Sequence, residues 1–131
     1  MNIVLNTNVL VSALWSPANK PAAIVNAVLS RRSTVCYDYR ILEEYTKDLR
    51  RPKFGFSEWE IQYLLDAIAI NGISVIADPI ADVPFADESD RKFYEVSQYC
   101  FAVLVTGNTR HYPASGNIMT VSDFYDRFIG R

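Results

Sequence analysis

The 131 residues are too few for several domains of ordinary size, so 1–131 read as a single domain. Half of them are hydrophobic and 21% charged, which excludes a disordered chain. A net charge of −2 excludes a global pull toward nucleic acid or anionic membrane, so any nucleic-acid role must rest on local patches. No charged segment leads into a long apolar run, and no stretch nears the roughly 18 residues of a membrane span. The expected location is therefore the cytoplasm, with Cys36 and Cys100 as buried, reduced thiols.

In chain order, 2–5 reads as a strand, followed at once by the polar triplet Asn6-Thr7-Asn8 and a helix from Val9 to Leu14. Pro21 opens the next helix, where a missing N–H costs nothing, and Ile24, Val25, Val28 and Leu29 share one side of it. "STVCY" is short and β-branched, a second strand. "YRILEEYTKDLRR" carries Ile41, Leu42, Tyr45 and Leu49 at helical spacing and stops before Pro52. "PKFGF" is expected as a loop. Ser57 and Glu60 form a capping box for a helix that ends at Asn71-Gly72. "ISVIA" is a third strand, "DPIADVPFADES" a loop, "DRKFYEVSQYC" a helix, "AVLVT" a fourth strand and "IMTV" a fifth. "SDFYDRF" closes the chain as a helix with Ser122 as its expected cap.

Strands alternate with helices, and most strands are continuously apolar. That is the pattern of an α/β, three-layer α/β/α domain with a mostly parallel central sheet of four or five strands. Ligands of such sheets sit beyond the strands' carboxyl ends, near a topological switch point. The residues to examine are therefore Asn6-Thr7-Asn8, Asp38 with its following helix, and Thr106-Gly107-Asn108.

Acids gather toward the same edge. At about 100° per residue, Glu44 lies nearer the Ile41/Leu42/Tyr45 face than Glu43, which turns to water. Asp90 stands three residues before Phe93 and seven before Ser97, on their inward face. Capping and the helix dipole account for Asp87 and Glu88, but not for an inward acid. Carboxylates crowded at one edge repel unless a cation lies between them, and hard oxygen ligands suit Mg²⁺ or Mn²⁺.

"IVLNTNVLVSAL", "ILEEY", "DESDRKF" and "AVLVTGN" occur in this order across nearly the whole chain. As a set they resemble the PIN-domain nucleases, particularly the prokaryotic toxins of toxin–antitoxin pairs (VapC-like). The resemblance implies a metal-dependent endoribonuclease in which Mg²⁺ or Mn²⁺ activates water against an RNA phosphodiester, leaving 5′-phosphate and 3′-hydroxyl ends. It implies a cognate antitoxin as partner. By the same resemblance, Glu44 and Asp90 match metal-binding acids, and Asp87 an accessory acid. Asn8 matches the asparagine that orients the first motif, Thr7 and Thr106 match hydroxyls near the metal, and Asn108 stands where the family has aspartate or asparagine.

Position 6 departs from the pattern. The family has aspartate there; this chain has Asn6. Asparagine keeps one carbonyl oxygen, loses the charge, and presents an NH₂ that cannot bind a cation. Next to a divalent ion that costs several kcal/mol of gross attraction. Two accounts fit: an aspartate changed to silence a nuclease, or a natural degenerate domain that binds RNA or protein without cutting.

Lys92, Arg110 and His111 are the weaker candidates for RNA contact, with Arg31-Arg32 and Arg50-Arg51-Lys53 as further basic clusters. Trp59, Tyr63, Leu64, Ile68 and Ile70 make a broad apolar face, joined by Trp15 and Phe56, that suits a homodimer or an antitoxin groove. A receiver-like phosphoacceptor domain would want a lysine after the last strand, and "IMTVSDF" has none. The expected activity is thus an RNA-cutting toxin weakened at position 6, against a non-catalytic binding module on the same fold.

Overall fold

A computed structural model describes residues 1–130. The strands are β1 (Asn2–Leu5), β2 (Thr34–Tyr37), β3 (Ile73–Ser74), β4 (Val103–Thr106) and β5 (Ile118–Thr120). The helices are α1 (Thr7–Trp15), α2 (Lys20–Leu29), α3 (Tyr39–Asp48), α4 (Glu58–Asn71), α5 (Arg91–Tyr99) and α6 (Val121–Phe124). The five strands form one all-parallel sheet in the order β3-β2-β1-β4-β5. β1 is central, and Ile3, Val4 and Leu5 are fully buried. A strand covered on both faces has no solvent side, so its sequence is apolar without alternation. Each such side chain contributes roughly 1.5–3 kcal/mol of burial.

α5 crosses one face against β1, β2 and β4, while α2 packs with α1, α4 and α6. α3 touches both α4 and α5. The chain steps outward from β1 to β3 and then returns to β4 on the other side of β1. The switch point therefore lies between the carboxyl ends of β1 and β4.

Local chemistry explains most of the boundaries. The Ser57–Glu60 capping box forms in both directions. Asn19 caps α2, accepting from the Ala22 N–H at 2.8 Å, with Pro21 in its first turn. At the end of α4, Gly72 is needed for close approach: a Cβ there would lie 2.3 Å from the Ile68 carbonyl and 2.7 Å from that of Val35.

Three expectations are corrected. The third strand is Ile73–Ser74, not "ISVIA". It is an edge strand, nothing among the described residues pairs with its outer side, and Ile76 is exposed as the chain leaves toward Pro79 and Pro84. The "PKFGF" loop contains a 3₁₀ turn, Pro52–Phe54, closed by Gly55 at φ 66°. The last helix is capped by Thr120, whose Oγ1 accepts from the Asp123 N–H at 3.0 Å. Ser122 instead accepts from Lys20 Nζ at 2.9 Å.

Candidate nuclease cleft

Asn6 joins the end of β1 to the start of α1. Its N–H donates to the Val105 carbonyl at 3.0 Å, and its Oδ1 accepts from the Asn8 N–H at 3.2 Å as the helix cap. The other side of the amide faces inward, where Nδ2 donates to the Tyr112 hydroxyl oxygen at 2.7 Å. That hydroxyl in turn donates to Asp90 Oδ1 at 3.4 Å. Asn8 Oδ1 accepts from the Gly107 N–H at 3.4 Å and so ties the start of α1 to the end of β4.

Glu44 is half-buried on α3 and Glu43 exposed, as the helical phase predicts. The Thr7 hydroxyl donates to Glu44 Oε2, and Lys92 Nζ lies 2.8 Å from Glu44 Oε1. Buried Tyr45, next in sequence, donates from its hydroxyl to the Leu5 carbonyl and anchors α3 to the end of β1. Burial pushes that phenol well above its ordinary range.

Asp90 is buried where a 3₁₀ turn, Glu88–Asp90, runs into α5. Burial raises its carboxyl above the usual carboxylate range, and the charges of Asp87 and Glu44 add to the rise. His111, with Nδ1 3.4 Å from Asp90 Oδ2, and the Tyr112 hydrogen bond oppose it. Asp87 is exposed and caps the turn, accepting from Ser89 N–H at 2.9 Å and Ser89 Oγ at 2.7 Å. Those bonds hold its carboxyl below the ordinary range.

Asn6, Thr7, Glu44 and Asp90 line one cleft of about 290 Å³, together with Arg51 and Phe54. A larger groove of about 570 Å³ between α3 and α5 shares Glu44 and Arg51 and adds Lys47 and Lys92. Thr106 is buried, and its hydroxyl accepts from the Asn108 N–H at 3.2 Å. Asn108 Oδ1 accepts from the Arg110 N–H at 3.1 Å and is committed to its own loop. Arg110 is exposed and lines a separate depression of about 430 Å³ with Tyr112 and Asp123, so the cleft does not include it.

Sequence reasoning missed Tyr112, which links Asn6 to Asp90 but lies 106 residues from Asn6 along the chain. It also missed a second acid cluster beside the cleft. Arg40 lies 2.7 Å from Asp38 Oδ2 and 2.8 Å from Glu95 Oε1, and both acids are buried. The remaining Asp38 oxygen accepts from the Ile41 N–H at 3.0 Å and that of Glu95 from the Ile80 N–H at 2.8 Å. The available signal was Glu95, a charge beside buried Val96 on an otherwise inward helix face.

Glu44 and Asp90 bring two carboxylates to the cleft, the kind of hard oxygen donor a divalent cation takes, while Asn6 turns its NH₂ to Tyr112 and its carbonyl oxygen to the Asn8 N–H. Among the described residues, no group of three or more His, Cys, Asp and Glu is placed to hold a metal ion.

An all-parallel sheet with acids and hydroxyls at its β1/β4 switch point matches what comparison with known proteins gives. The PIN domain family model matches residues 2–110, so the chain belongs to the PIN domain family, whose fold is of nuclease type. Its relatives include the uncharacterized protein MJ1680 of Methanocaldococcus jannaschii, 28% identical over 110 residues that span 82% of this chain and 71% of that protein. No solved structure matches. Among the described residues no helix is long and apolar enough to cross a membrane.

Proposed function

We propose that the cleft is the active site of a metal-dependent endoribonuclease, the toxin of a toxin–antitoxin pair, slowed in this chain by Asn6. The observation that carries the reading is the convergence of Asn6, Thr7, Glu44 and Asp90 on one cleft at the switch point. Glu44, Asp90 and the Asn6 carbonyl oxygen would hold Mg²⁺ or Mn²⁺, with Asp87 as an outer acid. When bound, the ion supplies an activated water and charge stabilisation for in-line attack on phosphorus.

The chain's own residues do the rest. Thr7 fixes the Glu44 carboxylate from one side and Lys92 balances its charge from the other. Tyr112 holds the Asn6 amide and Asp90 in one hydrogen-bonded row. Lys47 in the adjoining groove offers a cation to the flanking phosphates, and Arg51 offers a second although it lies 3.5 Å from Asp48. Arg91 is less available, since it pairs with Glu88 at 2.8 Å. A cationic side chain of an antitoxin reaching Glu44 and Asp90 would take the place of the metal's charge.

Asn6→Asp is the test. It should tighten Mn²⁺ binding in a calorimetric titration and raise RNA cleavage by on the order of 10² or more. That activity should stop with a chelator and be lost again on Glu44→Gln or Asp90→Asn. An Asn6→Asp protein that binds RNA but shows no metal-dependent cleavage would favour the second reading, a binding module without catalysis. The observation behind that second reading is the charge deficit at position 6.

A further inference from the structure

We infer that Lys92 is a resident counter-cation of the cleft, with its ammonium on a Glu44 oxygen that a divalent ion would need, so that metal binds there only by displacing it. The inference rests on the reading of the cleft as a metal site and adds how that site is regulated: by a competitor built into the chain.

Lys92 is the second residue of α5. A cation in the first turn of a helix faces the positive end of the macrodipole, where acids are favoured. Its neighbours offset that position. Nζ lies 2.8 Å from Glu44 Oε1, donates to the Ser89 carbonyl, and sits 5.1 Å from the centre of the Phe93 ring. The Lys92 side chain is 13% exposed and that of Glu44 22%, so the pair is largely withdrawn from water. A lysine so placed needs an anionic partner, and among the described residues Glu44 is the one it has.

Joining α3 to α5 does not account for this pair. Arg40 already makes that tie, between Asp38 at the cap of α3 and Glu95 on α5. What the pair does is neutralise Glu44. The second Glu44 oxygen accepts from the Thr7 hydroxyl, and Asp90 meets His111 and Tyr112. Each carboxylate of the cleft is thus answered by donors of the chain itself. A divalent ion on Glu44 Oε1 would meet the ammonium there, and their repulsion is twice that of two unit charges at the same separation. Lys92 also lines the groove of about 570 Å³, and its flexible four-carbon stem gives the ammonium room to swing aside. Asn6 and Lys92 act in the same direction. One withholds a negative charge from the cleft and the other supplies a positive one.

The test is calorimetric titration of Mn²⁺ into the full chain carrying Asn6→Asp, with and without Lys92→Met. Methionine keeps much of the stem and removes the charge. Lys92→Met should tighten Mn²⁺ binding by on the order of tenfold or more. Lys92→Arg, which keeps the charge, should not. The gain should vanish when Glu44→Gln is added, because the two cations compete for that carboxylate. Thermal melting gives a second readout. Without metal, Lys92→Met should melt below its background, since Glu44 loses its ion pair, and Mn²⁺ should raise its midpoint by more than it raises that of the background. If Lys92→Met does not melt cooperatively, Lys92→Gln is titrated in its place, with the same expected gain.

An Mn²⁺ affinity within twofold of the background would overturn the inference. So would weaker binding, since Lys92 would then be orienting Glu44 for the ion instead of opposing it. The nuclease reading is judged by cleavage alone. If Asn6→Asp cuts RNA while Lys92→Met leaves its Mn²⁺ affinity unchanged, the competitor falls and the nuclease stands. If Asn6→Asp cuts no RNA while Lys92→Met tightens Mn²⁺ binding, the nuclease falls and the competitor stands.

Discussion

Two acid clusters lie side by side between α3 and α5, and they are built differently. In the Asp38–Arg40–Glu95 cluster, the ion pairs measure 2.7 and 2.8 Å, and backbone N–H groups at 3.0 and 2.8 Å fill the remaining oxygens. In the cleft, Asp90 has only long contacts, 3.4 Å from His111 and 3.4 Å from Tyr112, and faces the charge of Asp87. The first cluster is saturated and closed. It ties the helix that carries Glu44 to the helix that follows Asp90, and so sets the width of the cleft. In the second, Glu44 is held by Thr7 and Lys92, and Asp90 is the carboxylate left with long contacts alone. Buried charge of the first kind serves architecture; charge of the second kind is kept at the expense of stability.

The comparison breaks most visibly at Arg40. Arg40→Ala strands two buried carboxylates and should cost about 3 kcal/mol, lowering the thermal midpoint by on the order of 10 °C. Calorimetric melting of the variant checks this; a midpoint within a degree or two of the parent would mean the cluster is not structural.

Asp90→Asn should act in the opposite sense and stabilise the fold by about 1 kcal/mol while removing any nuclease activity restored by Asn6→Asp. The pH dependence sharpens this. Asp90 has its carboxyl raised in the folded chain, so the stability linked to its proton is fully present below the unfolded value of about 3.9. It is lost as pH rises through the folded value. The advantage of Asp90→Asn in urea unfolding should therefore be small near pH 4 and grow toward pH 7. An advantage that is flat with pH would show that burial and neighbouring charge do not strain Asp90.

Tyr112→Phe removes the hydroxyl between the two sides of the cleft and leaves the Asn6 NH₂ without its 2.7 Å partner. A loss of about 1 kcal/mol is expected from chemical denaturation. The smallest effect belongs to Glu43, which is exposed and outside both clusters' hydrogen bonds. Glu43→Gln should shift stability by less than about 0.5 kcal/mol and leave cleavage by the Asn6→Asp protein within twofold. Loss of activity there, with Glu44→Gln unaffected, would reverse the roles assigned to the two glutamates.

The sequence by itself determined the elements and their inward faces. Continuous apolar runs alternating with 3.6-period segments specify a parallel sheet covered by helices. The Ser57–Glu60 box starts α4, and the phase of α3 turns Glu44 inward and Glu43 out. These are local matters of period, propensity and capping, which neighbours in the chain settle between themselves. Tertiary structure alone decided which inward groups meet. Tyr112 reaches Asn6 across 106 residues and Arg40 reaches Glu95 across 55. β3 stops after two residues because it is an edge, and Arg110 points away from the cleft into its own depression. Local pattern says that a side chain faces the interior. What it finds there depends on strand order and helix crossing, and those are set by the packing of the whole chain.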